Sequence, residues 1–184
     1  MSKEDPSEVL GTFLSKLKPN PFVAVGIDPG VSGAIGFVSG TQAMSISIPT
    51  LKVKTGNKNR SVFDYGSITE IFNTLRFYQK TNPFEVIIGL EQIPLSLGPG
   101  RKTAEILLNR AYAIWPLFLH SRKLRVQEIR PQVWKKYFSL LKKDKNASRM
   151  KAQQLFPKVN LNLKKDVDRS EALLLAEYIY QLNK

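Results

Sequence analysis

A chain of 184 residues with 28 Lys and Arg against 15 Asp and Glu, a formal net charge of +13, is long enough to bury one self-sufficient core. The absence of cysteine excludes disulfide frameworks, Cys-ligated zinc and thiol nucleophiles. The opening MSKEDPSEVL holds Glu4, Asp5 and Glu8 and no apolar stretch, which argues against a secretory signal or an Arg-rich transit peptide. No apolar run approaches membrane-spanning length, so a soluble, intracellular protein without a membrane partner is expected.

In chain order, residues 7–17 form a weak amphipathic segment before the proline-bounded KPNP, so 1–21 is expected to be a lead-in and 22–184 the domain. Residues 22–28, 33–39 and about 42–48 are short runs rich in Val, Ile and Phe, separated by DPGVSG and SGTQ; they predict an antiparallel meander. KVKTGNKNRS is a polar, basic stretch expected to be a loop, either extending a binding footprint or simply solvated. Ile68, Ile71, Phe72, Leu75 and Tyr78 recur at helical spacing and predict a helix over about 64–80. EVIIGLEQI is continuously apolar and predicts a buried fourth strand. PLSLGPGRK then predicts a loop, 103–121 a helix and RVQEIRP a strand, with further helices near 131–141, 147–155 and 169–182. Three antiparallel strands followed by alternating helices and strands give an α/β domain with a mixed five-stranded sheet flanked by helices.

Charge is distributed unevenly: residues 1–100 hold nine Lys and Arg against eight acids, residues 101–184 nineteen against seven. A polyanion contacted mainly by the second half is the reading this favours. Two acids stand where charge is expensive. Asp28 ends the first strand and Glu91 ends the most apolar strand, VIIGLE; a parallel crossover would set them side by side, where they repel unless a cation sits between them. Asp168 and Glu171 in DVDRSEALLLAEYIYQL are three residues apart and share a helix face. Carboxylate oxygens without His or Cys suit Mg²⁺ or Mn²⁺, and four acids could hold two ions about 4 Å apart for phosphodiester hydrolysis. Taken singly, DPG is also a common turn and DRSE a capping box with Asp168 as N-cap.

The order of these elements resembles the RuvC-like Holliday junction resolvases of the ribonuclease-H-like superfamily. GIDPGVSGAIGF is similar to that family's first-strand motif, IIGLEQ to its glutamate strand and DRSEALLLA to its terminal acidic helix. IRPQVWKKYF, KDKNASRMKAQQLFP and LKKDVDRSEALLLAEY resemble the branch found in phages, bacteria and the chloroplasts of plants and algae. The likeness spans about residues 22–180. It implies a ribonuclease-H-like fold and a homodimeric, divalent-metal-dependent endonuclease that nicks two opposed strands of a four-way DNA junction, in bacterial, phage-infected or plastid surroundings.

Carried over, the metal-binding acids are Asp28, Glu91, Asp168 and Glu171, with Asp166 as an alternative to Asp168. Lys145 matches a lysine placed near the scissile phosphate, where a cation stabilises developing charge. Plastid members have a histidine where this chain has Val167, which argues against a His-assisted step. Candidate DNA contacts are Gly98, Gly100, Arg101 and Lys102 in the loop after the glutamate strand, and Lys135, Lys136, Lys142, Lys143 and Arg149, with Trp134, Tyr137 and Phe138 packed inward. Helix 103–121, with Ile106, Leu107, Ala111, Ile114, Trp115 and Phe118, is the candidate dimer interface or an ordinary core helix; His120 is no ligand. A nuclease for structured RNA or flaps, or a non-catalytic junction binder, are the competing readings.

Overall fold

The first three apolar runs pair as an antiparallel meander, β1 (Phe22–Ile27), β2 (Ala34–Ser39) and β3 (Gln42–Ser47), in a computed structural model that describes residues 5–17, 22–82, 84–93 and 102–184. After a separate hairpin, β4 (Thr50–Thr55) and β5 (Lys58–Phe63), and the helix α2 (Tyr65–Thr81), strand β6 (Glu85–Glu91) adds parallel to β1. Helix α3 (Lys102–Ser121) returns the chain so that β7 (Arg125–Ile129) adds parallel to β6. The strand order β3-β2-β1-β6-β7 is the expected mixed sheet. The long crossovers explain the parallel pairs, since only helices on the faces can carry the chain back.

Both faces of the sheet are covered, which is why β1 and β2 are buried at every position. On one side lie α2, α3 and α1 (Pro6–Ser15), sharing a core with Val25, Ile27, Phe37 and Leu90. On the other lie α4 (Pro131–Tyr137), α5 (Lys145–Leu155) and α6 (Val167–Asn183), packed around Trp134, Leu161 and Leu174. Leu10 and Leu14 of α1 sit in the first core.

Helix α6 is buried continuously from Ser170 to Ile179, and three glycines make this possible. Gly36, Gly26 and Gly89 pair across β2, β1 and β6. A Cβ on Gly26 would lie 2.2 Å from the Ala172 carbonyl oxygen, one on Gly36 2.6 Å from it, and one on Gly89 2.6 Å from Ile179. The row is a trough across the sheet in which the helix backbone rests.

Two sequence readings need correction. KVKTGNKNRS is not a loop: Thr50 to Thr55 pair with Phe63 to Lys58 around a two-residue turn, with Gly56 at φ +59, the position a tight hairpin reserves for glycine. The alternation Leu51-Lys52-Val53-Lys54 was its signal. The helix expected over 131–141 ends at Tyr137, because Ser139 and Lys142 adopt left-handed backbone at φ 58 and 59. Helix α3 divides its apolar residues: Ala111, Trp115 and Leu119 are core, whereas Ile106, Ile114 and Leu117 are exposed.

Candidate active site

Alternation along the strands decides where the two strand-end carboxylates face. Val23, Val25 and Ile27 belong to the α2-side core, and Phe22 and Ala24 to the α6-side core; one further step turns Asp28 toward α6. In β6, Val86, Ile88 and Leu90 pack on the α2 side and Ile87 on the α6 side, so Glu91 faces α6 as well. Ile27 and Leu90 are the last paired positions of the parallel ladder. Asp28 and Glu91 are the next neighbours along it.

The third contribution descends from α6. Its N-cap is Asp166, not Asp168, so the capping-box reading of DRSE fails and Asp168 and Glu171 are left on one face of the opening turns. Asp166 is buried and occupied elsewhere: it accepts from the Leu163 N–H at 2.9 Å and pairs with Arg169 at 3.1 Å. The same guanidinium donates to the Ser45 carbonyl of β3 at 3.2 Å. Asp166 clasps the helix start to the sheet, and Asp168 is the residue whose charge acts on Asp28.

Electrostatics show which of these groups act on one another. Burial raises the Asp28 carboxyl to about 6, with the charges of Asp168 and Glu171 adding to the rise; the Gly30 N–H, which donates to it at 3.3 Å, and Lys145 oppose it. Burial raises Glu91 to about 7, reinforced by Asp28 and Glu171 and opposed by Trp134 and Lys135. Asp168 is also raised by burial and by Glu171, with Lys145 pulling it down. Desolvated acids in one field are costly as anions, and a cation is the group that would relieve them.

Three side chains that sequence reasoning did not place in the site hold these acids. The Trp134 indole N–H donates to Glu91 Oε2 at 2.7 Å. The buried Ser148 hydroxyl donates to Glu171 Oε1 at 3.0 Å, and Lys135 Nζ is 3.0 Å from that oxygen. Trp134 was read as packing inward, and it does so while its one polar atom faces the site; buried indoles need such a partner. Lys135, expected to face DNA, is turned into the acid cluster. Arg149, also expected on DNA, donates instead to Asn146 Oδ1 and to the Leu161 and Asn162 carbonyls, bracing the loop after α5.

Lys136, Lys142, Lys143 and Lys145 are exposed, with Lys145 at the first position of α5 behind its cap Asp144. Tyr137 is exposed rather than inward, resting edge-on against Phe138 and Tyr178. Gly98, Gly100 and Arg101 lie outside the described residues, and Lys102 opens α3. The single histidine, His120, is exposed in the last turn of α3.

The donor set of Asp28, Glu91, Asp168 and Glu171 is wholly oxygen, which fits a hard divalent ion by its chemistry. Among the described residues no group of three or more His, Cys, Asp or Glu is gathered tightly enough to hold a metal ion as it stands. The acids share a field without closing on a point, and Glu91 and Glu171 are held by Trp134, Ser148 and Lys135.

No protein-family model and no curated protein sequence matches the chain. Among solved structures it is similar to Thermus thermophilus RuvC in complex with a Holliday junction substrate, at 12% identity and a TM-score of 0.48 over 88% of this chain and 96% of that one. It is also similar to the yeast mitochondrial Holliday junction resolvase Ydc2, at 18% identity and a TM-score of 0.46 over 96% of this chain and 84% of that one.

Proposed function

We propose that the chain is a structure-specific DNA endonuclease that resolves four-way junctions by paired, divalent-metal-dependent nicks. The observation that supports this best is that Asp28 and Glu91 end the two strands of the central parallel pair on the side of α6 and lie in one electrostatic field with Asp168 and Glu171, the first three being raised by burial and by neighbouring acids. A core of this kind has no structural use for such a set, since buried anions of like sign destabilise the fold that contains them.

In this reading the four acids hold Mg²⁺ or Mn²⁺, two ions per site, which when bound supply a nucleophilic hydroxide and charge neutralisation at the phosphate. The chain's own residues do the rest. Trp134 holds the Glu91 carboxylate in place, Ser148 and Lys135 hold that of Glu171, and Lys145 offers an exposed ammonium whose charge reaches Asp28 and Asp168 for the scissile phosphate. Lys136, Lys142 and Lys143 line the approach. Paired nicks call for two such sites related by a two-fold axis, hence a homodimer; the exposed Ile106, Ile114 and Leu117 of α3 are the surface we assign to it.

The test is cleavage of a mobile four-way junction, a flap and a structured RNA, with and without Mg²⁺, by the wild type and Asp28→Asn. Symmetric nicks in the junction alone, dependent on both the ion and Asp28, are expected. Preferential cleavage of RNA or flap overturns the substrate assignment; tight junction binding with no cleavage under any divalent ion leaves a binding protein and overturns the enzyme.

A further inference from the structure

Helices α4, α5 and α6 each open near the acids: Trp134 of α4 bonds Glu91, the charge of Lys145 at the start of α5 reaches Asp28, and Asp168 and Glu171 stand in the opening turns of α6. Their far ends surround a different feature. The end of α4 and the turn after it supply Tyr137 and Ser139, α5 supplies Lys151 and Leu155, and α6 supplies Glu177 and Gln181 to a cleft of about 480 Å³. Glu177 comes six residues after Glu171, roughly 9 Å farther along the helix and about 240° around it. The cleft is therefore separate from the catalytic acids.

Glu177 is only 9% exposed, yet nothing in the catalytic reading uses it. Among the described residues its Oε1 accepts from Gln181 Nε2 at 2.6 Å and its Oε2 meets no donor. Burial raises this carboxyl, with Gln181 and Lys184 opposing the rise. A carboxylate satisfied on one oxygen, in the wall of a cleft, is suited to a donor that arrives from outside.

The rest of the lining selects that donor. Tyr137 is 52% and Leu155 39% exposed, an aromatic ring and an aliphatic patch of the kind that receive a guanidinium and its methylene stem. Lys151 lines the same cleft and takes part in no ion pair among the described residues. It opposes a bare cation and favours a ligand that also carries a carboxylate. Glu177 in turn opposes a DNA phosphate.

We propose that this cleft binds an arginine zwitterion, its guanidinium donating to Glu177 and lying against Tyr137, its carboxylate turned toward Lys151. The free amino acid and a C-terminal arginine of a partner protein offer the same chemistry. No residue of the cleft belongs to the acid set, so the site stands whether or not the chain cuts DNA.

The full chain, isotope-labelled, is titrated with L-arginine, agmatine, L-citrulline and the peptide Gly-Gly-Arg while its amide shifts are followed by NMR. Arginine is expected to move the amides of Tyr137, Ser139, Lys151, Glu177 and Gln181 saturably. Agmatine lacks the carboxylate and citrulline the charge, and each is expected to bind about tenfold more weakly or not at all, through loss of a charge-assisted contact. Glu177→Gln, which keeps the side chain's shape, is expected to weaken arginine by about tenfold or more; Tyr137→Ala, at an exposed position, by about three- to tenfold. Tighter binding of Gly-Gly-Arg than of arginine supports the site with a partner's terminus as its occupant, and the reverse supports it with the free amino acid. The absence of saturable shifts, equal binding of citrulline, unaltered affinity in Glu177→Gln, or shifts centred on Glu91 and Glu171 instead of the cleft would each overturn it.

Discussion

Replacing Gly26 by alanine tests the link between the sheet and the acids without touching any acid. The new methyl would meet the Ala172 carbonyl oxygen at 2.2 Å and the Ala176 amide nitrogen at 2.4 Å, both backbone atoms, where ordinary contact begins near 3.4 Å. Neither can rotate away, so α6 must lift by about 1.2 Å, the difference between those distances, or the strand must sink into the opposite core. Overpacking of this kind costs roughly 1–3 kcal/mol, and here it falls on a helix buried along ten residues, Ser170 to Ile179, so the upper end is expected. Glu171 directly precedes Ala172, and a displacement near 1 Å in a reacting constellation lowers rate by about 10²-fold. The assay is urea denaturation together with single-turnover junction cleavage, with Gly66→Ala as control, since a Cβ there meets only the Asp64 side chain at 3.4 Å. Wild-type stability and cleavage in Gly26→Ala would refute the claim that the glycine trough sets the position of the acids on α6.

Other perturbations bear on the site directly. Asp28→Asn, Glu91→Gln and Glu171→Gln should each retain junction binding while cleavage falls by about 10²-fold or more; near-normal cleavage by all three defeats the assignment. Trp134→Phe removes the bond that holds Glu91 down, so the acid limb of the pH–rate profile should move to higher pH, with a rate loss of about 10- to 100-fold; a purely structural Trp134 would lower stability and leave the limb in place. Without divalent ion, stability should fall as pH rises from about 4 to 7. Asp28 and Glu91 have folded pKa values above their ordinary ones, so the native state binds more protons than the unfolded chain in that window. Asp28, raised from 3.8 to about 6, accounts for up to about 3 kcal/mol of this at roughly 1.4 kcal/mol per unit. Mg²⁺ should then raise the melting temperature more at pH 8 than at pH 5, and equal shifts at both would argue against ion binding by these acids. Lys145→Ala should slow the chemical step more than it weakens affinity, measured as single-turnover rate against Kd; the reverse pattern would make it a phosphate anchor.

The sequence by itself determined the sheet's strands, the parallel neighbours that carry Asp28 and Glu91, and the helix that brings Asp168 and Glu171, because apolar periodicity and chain order are local properties that a string of residues displays directly. It also contained the β4–β5 alternation, masked by the lysines that fill every other position. Tertiary structure alone decided which polar groups meet. Trp134 reaches Glu91, Ser148 and Lys135 reach Glu171, Arg149 turns to the Leu161 and Asn162 carbonyls, and Asp166 is taken by Arg169 while Asp168 is left for the site. Several of these partners lie 23 to 43 residues apart, and their pairing follows from how closely α6 settles on three glycines, a packing distance that no local pattern encodes.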